Sequence, residues 1–478
     1  MTDNFNFTDE RFADIQMLRY RLDDFDNLTL NQKLYIYYLS EATLCGRDIT
    51  TDQFGRYNLR IRRTLEAVYV NYFGERDCDE FRALTVYLKR VWFSNGIHHH
   101  YGCEKFVPDF TEDYFRSVVL TTSTDIASKV GVDQHFNLPL VADETVEALL
   151  DDICPVIFNQ KIMAKRVNQK AGDDLVATSA CNYYEGLTQK EVENFYAKMR
   201  EDDADNAATP ISYGLNSTLR KTSEGCVKED VWCAEGLYGS VIKHIVYWLS
   251  KAAEVAENQR QIEIINLLIE YYRTGNLQTF DKYSIEWLKE HEGRVDFING
   301  FIEVYGDPLG LKASWEGIVH YKDLVATRRT QTLSQNAQWF EDHSPVDPRF
   351  RKPQVVGVTA NVVCAAMLGG DEYPSTAIGI NLPNADWIRA RYGSKSITIG
   401  NLTHAYNQAA RGNGFAQEFV IDDATREMID KWGDVCDDLH TDLHECLGHG
   451  SGQLLPGVSA DALGSYGSTI EEARADLF

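Results

Sequence analysis

Apolar residues recur at helical spacing along most of the first half of the chain. Residues 31–41 are rich in Leu and Tyr three and four positions apart, behind Thr29-Leu30-Asn31 as an opening signal. Residues 58–72 and 79–93 repeat the pattern. Residues 239–250 and 252–272 predict a further helical pair, ended by Gly275-Asn276. The period then changes. Residues 355–363 are β-branched, and 375–382 run Ser-Thr-Ala-Ile-Gly-Ile-Asn-Leu before Pro383-Asn384, so both predict strands. Helical spacing returns over 402–410 and 424–432. The expected class is α+β, mostly α, with a smaller β element inserted. No repeat of fixed period occurs, which excludes solenoids and propellers.

Composition narrows the function classes. A length of 478 residues suggests two to four units or two large lobes, and 44% hydrophobic with 25% charged residues is a globular mix. Lys and Arg number 47 against 72 Asp and Glu, a net charge of −25. Such a surface repels phosphate backbones, so no nucleic-acid partner is expected, and it suits substrates carrying positive charge, such as peptides with a free amino terminus. The longest apolar stretches, such as 355–366, are interrupted by Gly357, Thr359 and Asn361 and are too short for a bilayer, so no membrane partner is expected. Ten cysteines are spread singly with no C-x-x-C pair, and the first residues carry neither a basic nor an apolar run. A reducing, cytoplasmic location is therefore expected.

The chemistry concentrates in Asp442-Leu443-His444-Glu445-Cys446-Leu447-Gly448-His449. In the H-E-x-x-H zinc helix two His four apart share a face and the Glu between them is the general base. Here the second His stands five residues on. Positions i and i+4 lie about 40° apart around a helix, whereas i and i+5 lie about 140° apart. Two ligands for one metal thus require a one-residue bulge, which Gly448 tolerates best. A third ligand is needed, and Thr469-Ile470-Glu471-Glu472-Ala473-Arg474-Ala475-Asp476 offers Glu472 and Asp476 on one helical face with Glu471 beside them. One carboxylate can bind zinc while the others hold the free imidazole nitrogens. His440, four before His444, is a rival ligand. His98-His99-His100 point in different directions on any regular element and suit a loop or cleft wall better than a metal. Cys446, inside the motif, is an oxidisable thiol.

H-E-x-x-G-H followed by E-E-x-R-A-[ED] resembles the dipeptidyl peptidase III family of zinc exopeptidases. Phe301-Ile302-Glu303-Val304-Tyr305-Gly306-Asp307-Pro308, Trp315-Glu316-Gly317 and Gly379-Ile380-Asn381-Leu382-Pro383-Asn384 resemble further family segments, and Lys105-Phe106-Val107-Pro108 is a weaker echo. The resemblance implies two lobes around a wide cleft. Residues 1–324 and 365–410 would form a substrate lobe with a small five-stranded β-barrel and helices. Residues 325–364 and 411–478 would form a helical zinc lobe. It implies one Zn2+ per chain, with His444, His449 and Glu472 as ligands and Glu445 as the base that activates water. Glu471 would steer His449, and Asp476 would steer His444. Asp476 stands where Glu is commoner, and its shorter side chain predicts a longer or water-bridged contact. Tyr305 would polarise the scissile carbonyl. Glu303, Glu316, Asn381 and Asn384 would hold the ammonium and first peptide unit of short peptides, whose main chain would pair with 375–382.

The activity so implied is the release of N-terminal dipeptides by a zinc metallopeptidase. The rivals are a zinc endopeptidase and a non-catalytic peptide-binding protein. Taken without the resemblance, Tyr305 reads as core, Glu303 and Glu316 as a solvated face, and Asn384 as turn chemistry. Family members continue well past the second motif, with a further catalytic His there. The expectation is that these residues are the N-terminal portion of a longer polypeptide, with the missing C-terminal part as a partner.

Overall fold

The first helix begins where the sequence signals it. Thr29 and Gln32 form a reciprocal capping box at the start of α1 (Leu30–Cys45). Helices α2 (Asn58–Asn71), α3 (Asp79–Phe93), α4 (Glu112–Ser128) and α5 (Val146–Phe158) follow. They bury a core of their own, built from residues such as Ile61, Leu65, Phe81, Phe115 and Ile153. The computed structural model describes residues 5–203, 205, 208–355, 358–374, 376–455, 458 and 467–477, and the side chains of 358–360, 445, 446, 467 and 468 lie outside that description.

The expected helical pair is α6 (Gly239–Glu254) and α7 (Gln259–Thr274). Gly275 closes α7 in the left-handed region at φ +71°, where a side chain would be strained. Asn276 then caps α8 (Leu277–Leu288). A five-stranded sheet comes next: β1 (Val295–Phe301) and β2 (Trp315–Lys322), then α9 (Leu324–Gln335), then β3 (Val358–Gly370), β4 (Gly379–Leu382) and β5 (Ser394–Ile399). The spatial order is β1-β2-β3-β5-β4, with β3 and β5 parallel and the other pairs antiparallel. The resemblance implies five strands, and five are present. Their ladder is open, and among the described residues no pairing joins β1 to β4.

The predicted strand at 355–363 is β3, described from Val358 and running on to Gly370, with 356 and 357 outside the described residues. Of the predicted strand 375–382, only Gly379–Leu382 pairs, and Ser375 lies outside the described residues. The pattern missed β1 and β2. Seven of the eight residues of β2 are buried, including Glu316 and His320, so the strand shows no alternation of apolar and polar positions.

Helix α1 packs across β1, β2 and β3 and against α6. Its end comes so close to the sheet that a Cβ on Gly46 would sit 2.2 Å from the Trp315 ring. This layer fixes Trp315, and with it the neighbouring Glu316, in the floor of the cleft. The chain closes with α10 (Gly400–Ala410), α11 (Asp423–Leu443) and α12 (Gly467–Leu477). Among the described residues no helix is long and apolar enough to cross a membrane.

Candidate active site

Helix α11 starts on Asp422, whose carboxylate accepts from the Thr425 N–H. It runs without a break into a π-helical turn over His444–Gly448. The His449 N–H donates to the His444 carbonyl at 3.0 Å, a bond across five residues. This is the single-residue bulge that the spacing of the two histidines demands. Gly448 matters for a different reason from the one expected. Its backbone is not in the left-handed region, but a Cβ there would lie 2.6 Å from the Ala475 carbonyl oxygen and 2.9 Å from its Cα. The glycine lets α12 approach the turn. Gly448→Ala is therefore expected to cost about 1–3 kcal/mol in stability. Thermal denaturation checks this, and a variant as stable as the parent would remove the close-approach account.

That approach brings the two motifs together. His444 Nε2 lies 3.2 Å and His449 Nε2 3.7 Å from Glu472 Oε2. Ligands about 2.0–2.2 Å from a tetrahedral zinc stand roughly 3.3–3.6 Å apart, so both separations lie close to what one ion requires, and the three ligand atoms all lie within 4.8 Å of one another. The other imidazole nitrogens are held. His444 Nδ1 is 2.8 Å from Asp476 Oδ1, and His449 Nδ1 is 3.0 Å from Glu471 Oε1. Carboxylates at Nδ1 fix both rings with Nε2 facing the common point. The Asp476 contact is direct, which corrects the expected longer or water-bridged one; the bulged turn carries His444 within reach of the shorter side chain.

Arg474 donates through Nε and Nη2 to Glu471 and through Nη1 to the Ser451 hydroxyl. Burial raises the Glu471 pKa, but the hydrogen bonds from His449 and Arg474 outweigh it and bring the carboxyl to about 2. Asp476 is likewise lowered, by the hydrogen bonds from His444 and His440. The rival ligand His440 has its Nε2 3.0 Å from the same Asp476 Oδ1. Among the described residues, His440, His444 and Asp476 make a second group that could hold an ion. That group would leave His449 and Glu472 unused. Glu445 lies in the π turn, and its side chain and that of Cys446 are outside the described ones.

Opposite lies the sheet. A cavity of about 1540 Å³ is lined by His444, His449 and Glu472 and also by Glu303, Tyr305, Glu316, Asn381 and Asn384. Tyr305 is 80% exposed and so is not core. Glu316 is 1% exposed and so is not a solvated face. The Asn384 amide donates to Glu303 Oε1 at 3.1 Å and accepts from Arg389 Nη2 at 3.3 Å. Burial pushes the Glu303 carboxyl up, with the Asn384 bond opposing. Glu303, followed by burial, raises the Tyr305 hydroxyl, which keeps it a neutral donor.

Two residues that sequence reasoning missed, Asp371 and Glu372, follow β3 and share this wall. Asp371 accepts from the Ser314 hydroxyl. Burial and then Asp371 push Glu372 up to about 8. Glu316 is pushed well up by burial and then by Glu372. Among the described residues, Glu316 Oε2, Glu372 Oε2 and Asn381 Oδ1 are buried acceptors with no donor. No periodicity marks such a pair in the sequence. His100 lines the cleft wall, and the His99 ring accepts from the Tyr101 and Gly102 N–H groups, so these histidines act in a loop.

A sequence model described as Peptidase family M49 matches residues 180–476, a span that holds the π turn, its partner helix and the facing sheet. This chain belongs to peptidase family M49. The M49 chain is 24% identical over 478 aligned positions to dipeptidyl peptidase 3 of Nematostella vectensis, covering 90% of this chain and 61% of that protein. It is 23% identical to dipeptidyl peptidase 3 of Homo sapiens, covering 89% of this chain and 59% of that protein. It thus spans about three-fifths of the length of these curated relatives. The solved structure of DPP III from Caldithrix abyssi superposes with a TM-score of 0.65 at 18% identity, over 95% of this chain and 71% of that one. Dipeptidyl-peptidase III from Corallococcus sp. strain EGB gives 0.63 at 18% identity, over 96% and 70%. At that identity the likeness speaks for the fold.

Proposed function

We propose that this M49 chain carries the zinc site and the substrate anchor of a metallopeptidase that releases dipeptides from the N-terminus of short peptides. The observation that carries the reading is the convergence of His444 Nε2, His449 Nε2 and Glu472 Oε2, across one cavity from Glu303 and Asn384. His444, His449 and Glu472 would hold zinc there, which would supply a Lewis acid and a more acidic water molecule. Glu445, next to His444, takes the water's proton and delivers it to the leaving amine. Tyr305 donates its hydroxyl proton to the oxygen of the scissile carbonyl. Glu303 neutralises the substrate ammonium, while Asn384, Asn381 and Glu316 satisfy its remaining hydrogen bonds.

Strand β4 is an edge of the sheet, so one side of its backbone is available to pair with the peptide main chain. The division into a substrate lobe, 1–324 with 365–410, and a zinc lobe, 325–364 with 411–478, remains part of the proposal. It is supported by Arg329 of α9, which ion-pairs with Asp438 and Asp442 of α11 at 3.2 and 2.7 Å.

Zinc analysis together with product analysis tests the reading. Stoichiometric zinc and dipeptides as the first products from a free-amine hexapeptide are expected. Internal cleavage of the N-acetylated peptide would favour the endopeptidase, and peptide binding without cleavage the binding protein.

A further inference from the structure

A second cavity, of about 420 Å³, lies behind the anchor. One wall is α8, which contributes Phe280, Asp281, Tyr283 and Trp287. The opposite wall is the segment 302–305 that leaves β1, together with 382–385 at the end of β4. The lining is mostly apolar, with Ile298, Ile302, Leu382 and Trp287 all buried. Asp281 is the exception. It is half-buried among these rings, and among the described residues its carboxylate has no hydrogen bond and no ion pair. The other charged groups in the lining are Arg200 and Glu303. Glu303, Tyr305 and Asn384 line both this cavity and the main cleft, so the two spaces share a wall.

A half-buried carboxylate on the wall of a cavity lined by Phe280, Tyr283 and Trp287 has a definite complement. Anions, and neutral ligands with lone pairs to place, are repelled by it. A positive charge gains the carboxylate directly and the ring faces through their quadrupoles. A volume of this size is ordinary for a small-molecule site. We infer that this cavity is a binding site for a small organic cation, a primary ammonium or guanidinium on a short aromatic or aliphatic body, with Asp281 as its counter-charge. It is separate from the peptide anchor and touches the anchor only through the shared wall. Burial alone holds the Asp281 carboxyl up at about 6, the behaviour of a charge that lacks its partner. Ligand placed here presses on Ile302–Tyr305 from behind and so reaches Glu303 and Tyr305 without entering the cleft.

The site itself does not depend on the peptidase reading; only its influence on the anchor does. Binding of phenethylamine to the full chain, by titration calorimetry without peptide, tests it independently of turnover. Measurable binding is expected, at least about tenfold tighter than for neutral phenethyl alcohol. Asp281→Asn should weaken it by about tenfold or more, Asp281→Glu should keep it within a few-fold, and Glu303→Gln, which removes a charge from the shared wall, should weaken it less than Asp281→Asn does. Melting temperature verifies that each variant is folded. Equal affinity for the alcohol, or no binding at all, would overturn the proposal. So would loss in Glu303→Gln with retention in Asp281→Asn, which would move the cation to the peptide anchor.

Discussion

Glu445→Gln is expected to keep one zinc per chain and to lose about 10²–10⁴-fold in turnover, since an amide cannot accept the water's proton. His444→Ala, His449→Ala and Glu472→Ala should behave in the opposite way and lose the metal itself. In the proposed site each removes one of three ligands, and the two that remain would hold zinc poorly. The structure sharpens the contrast, because Glu472 Oε2 is the atom that both Nε2 atoms face. Metal analysis after exhaustive dialysis, run beside a dipeptidyl arylamide assay, separates the two classes. Full zinc content in Glu472→Ala would reject the ligand set and turn attention to His440 or Glu471. Loss of zinc in Glu445→Gln would make that residue a ligand or a structural group, not a base.

Glu303→Gln should raise the KM of free-amine peptides by about 10²-fold, the order expected when a desolvated charge loses its partner, and leave N-acetylated peptides little changed. The pH profile adds a second readout. Burial holds the Glu303 carboxyl above its ordinary range. A raised pKa means that the anion needed for the ammonium disappears as pH falls through a value above about 4.3. On the alkaline side the substrate amine, with a reference pKa of about 7.7–8.0, loses its proton. Free-amine peptides should therefore bind best between those limits, and in Glu303→Gln the acid limb of KM should vanish. Equal losses on both peptide classes would mean that Glu303 serves the fold.

The candidate metal site was legible because its geometry is local. The offset of five from His444 to His449 forces a bulge, and the structure supplies a π turn there. Glu471, Glu472 and Asp476 share a helix, so their relative directions follow from periodicity alone. The helices were legible for the same reason: residues 79–93 coincide with α3. The substrate side was harder to read. Strand β2 carries Glu316 and His320 at buried positions, so its polarity pattern looks like neither a strand nor a helix. Glu303 and Asn384 meet across 81 residues of sequence. Only the resemblance joined them in advance. Asp371, Glu372 and Asp281 carried no signal, because what sets such a carboxylate apart is its surroundings, which come from distant segments.

The position of β4 at the sheet's edge has a consequence for the polarity of anything laid along it. The proposed anchor residues Glu303 and Asn384 lie at the C-terminal end of β4, just past Leu382. A peptide whose amine sits there must run back toward Gly379, antiparallel to β4. In that sense of pairing each residue advances about 3.4 Å, and side chains alternate between the two faces of the sheet. A parallel peptide would bring its carboxyl end to Glu303, charge against like charge. A retro-inverso peptide, with its amide bonds reversed, would present N–H groups where the edge expects carbonyls. In the proposed reading, the edge and the carboxylate therefore select chain direction before any side chain is read, and a binder built on the reversed backbone gives up the whole ladder.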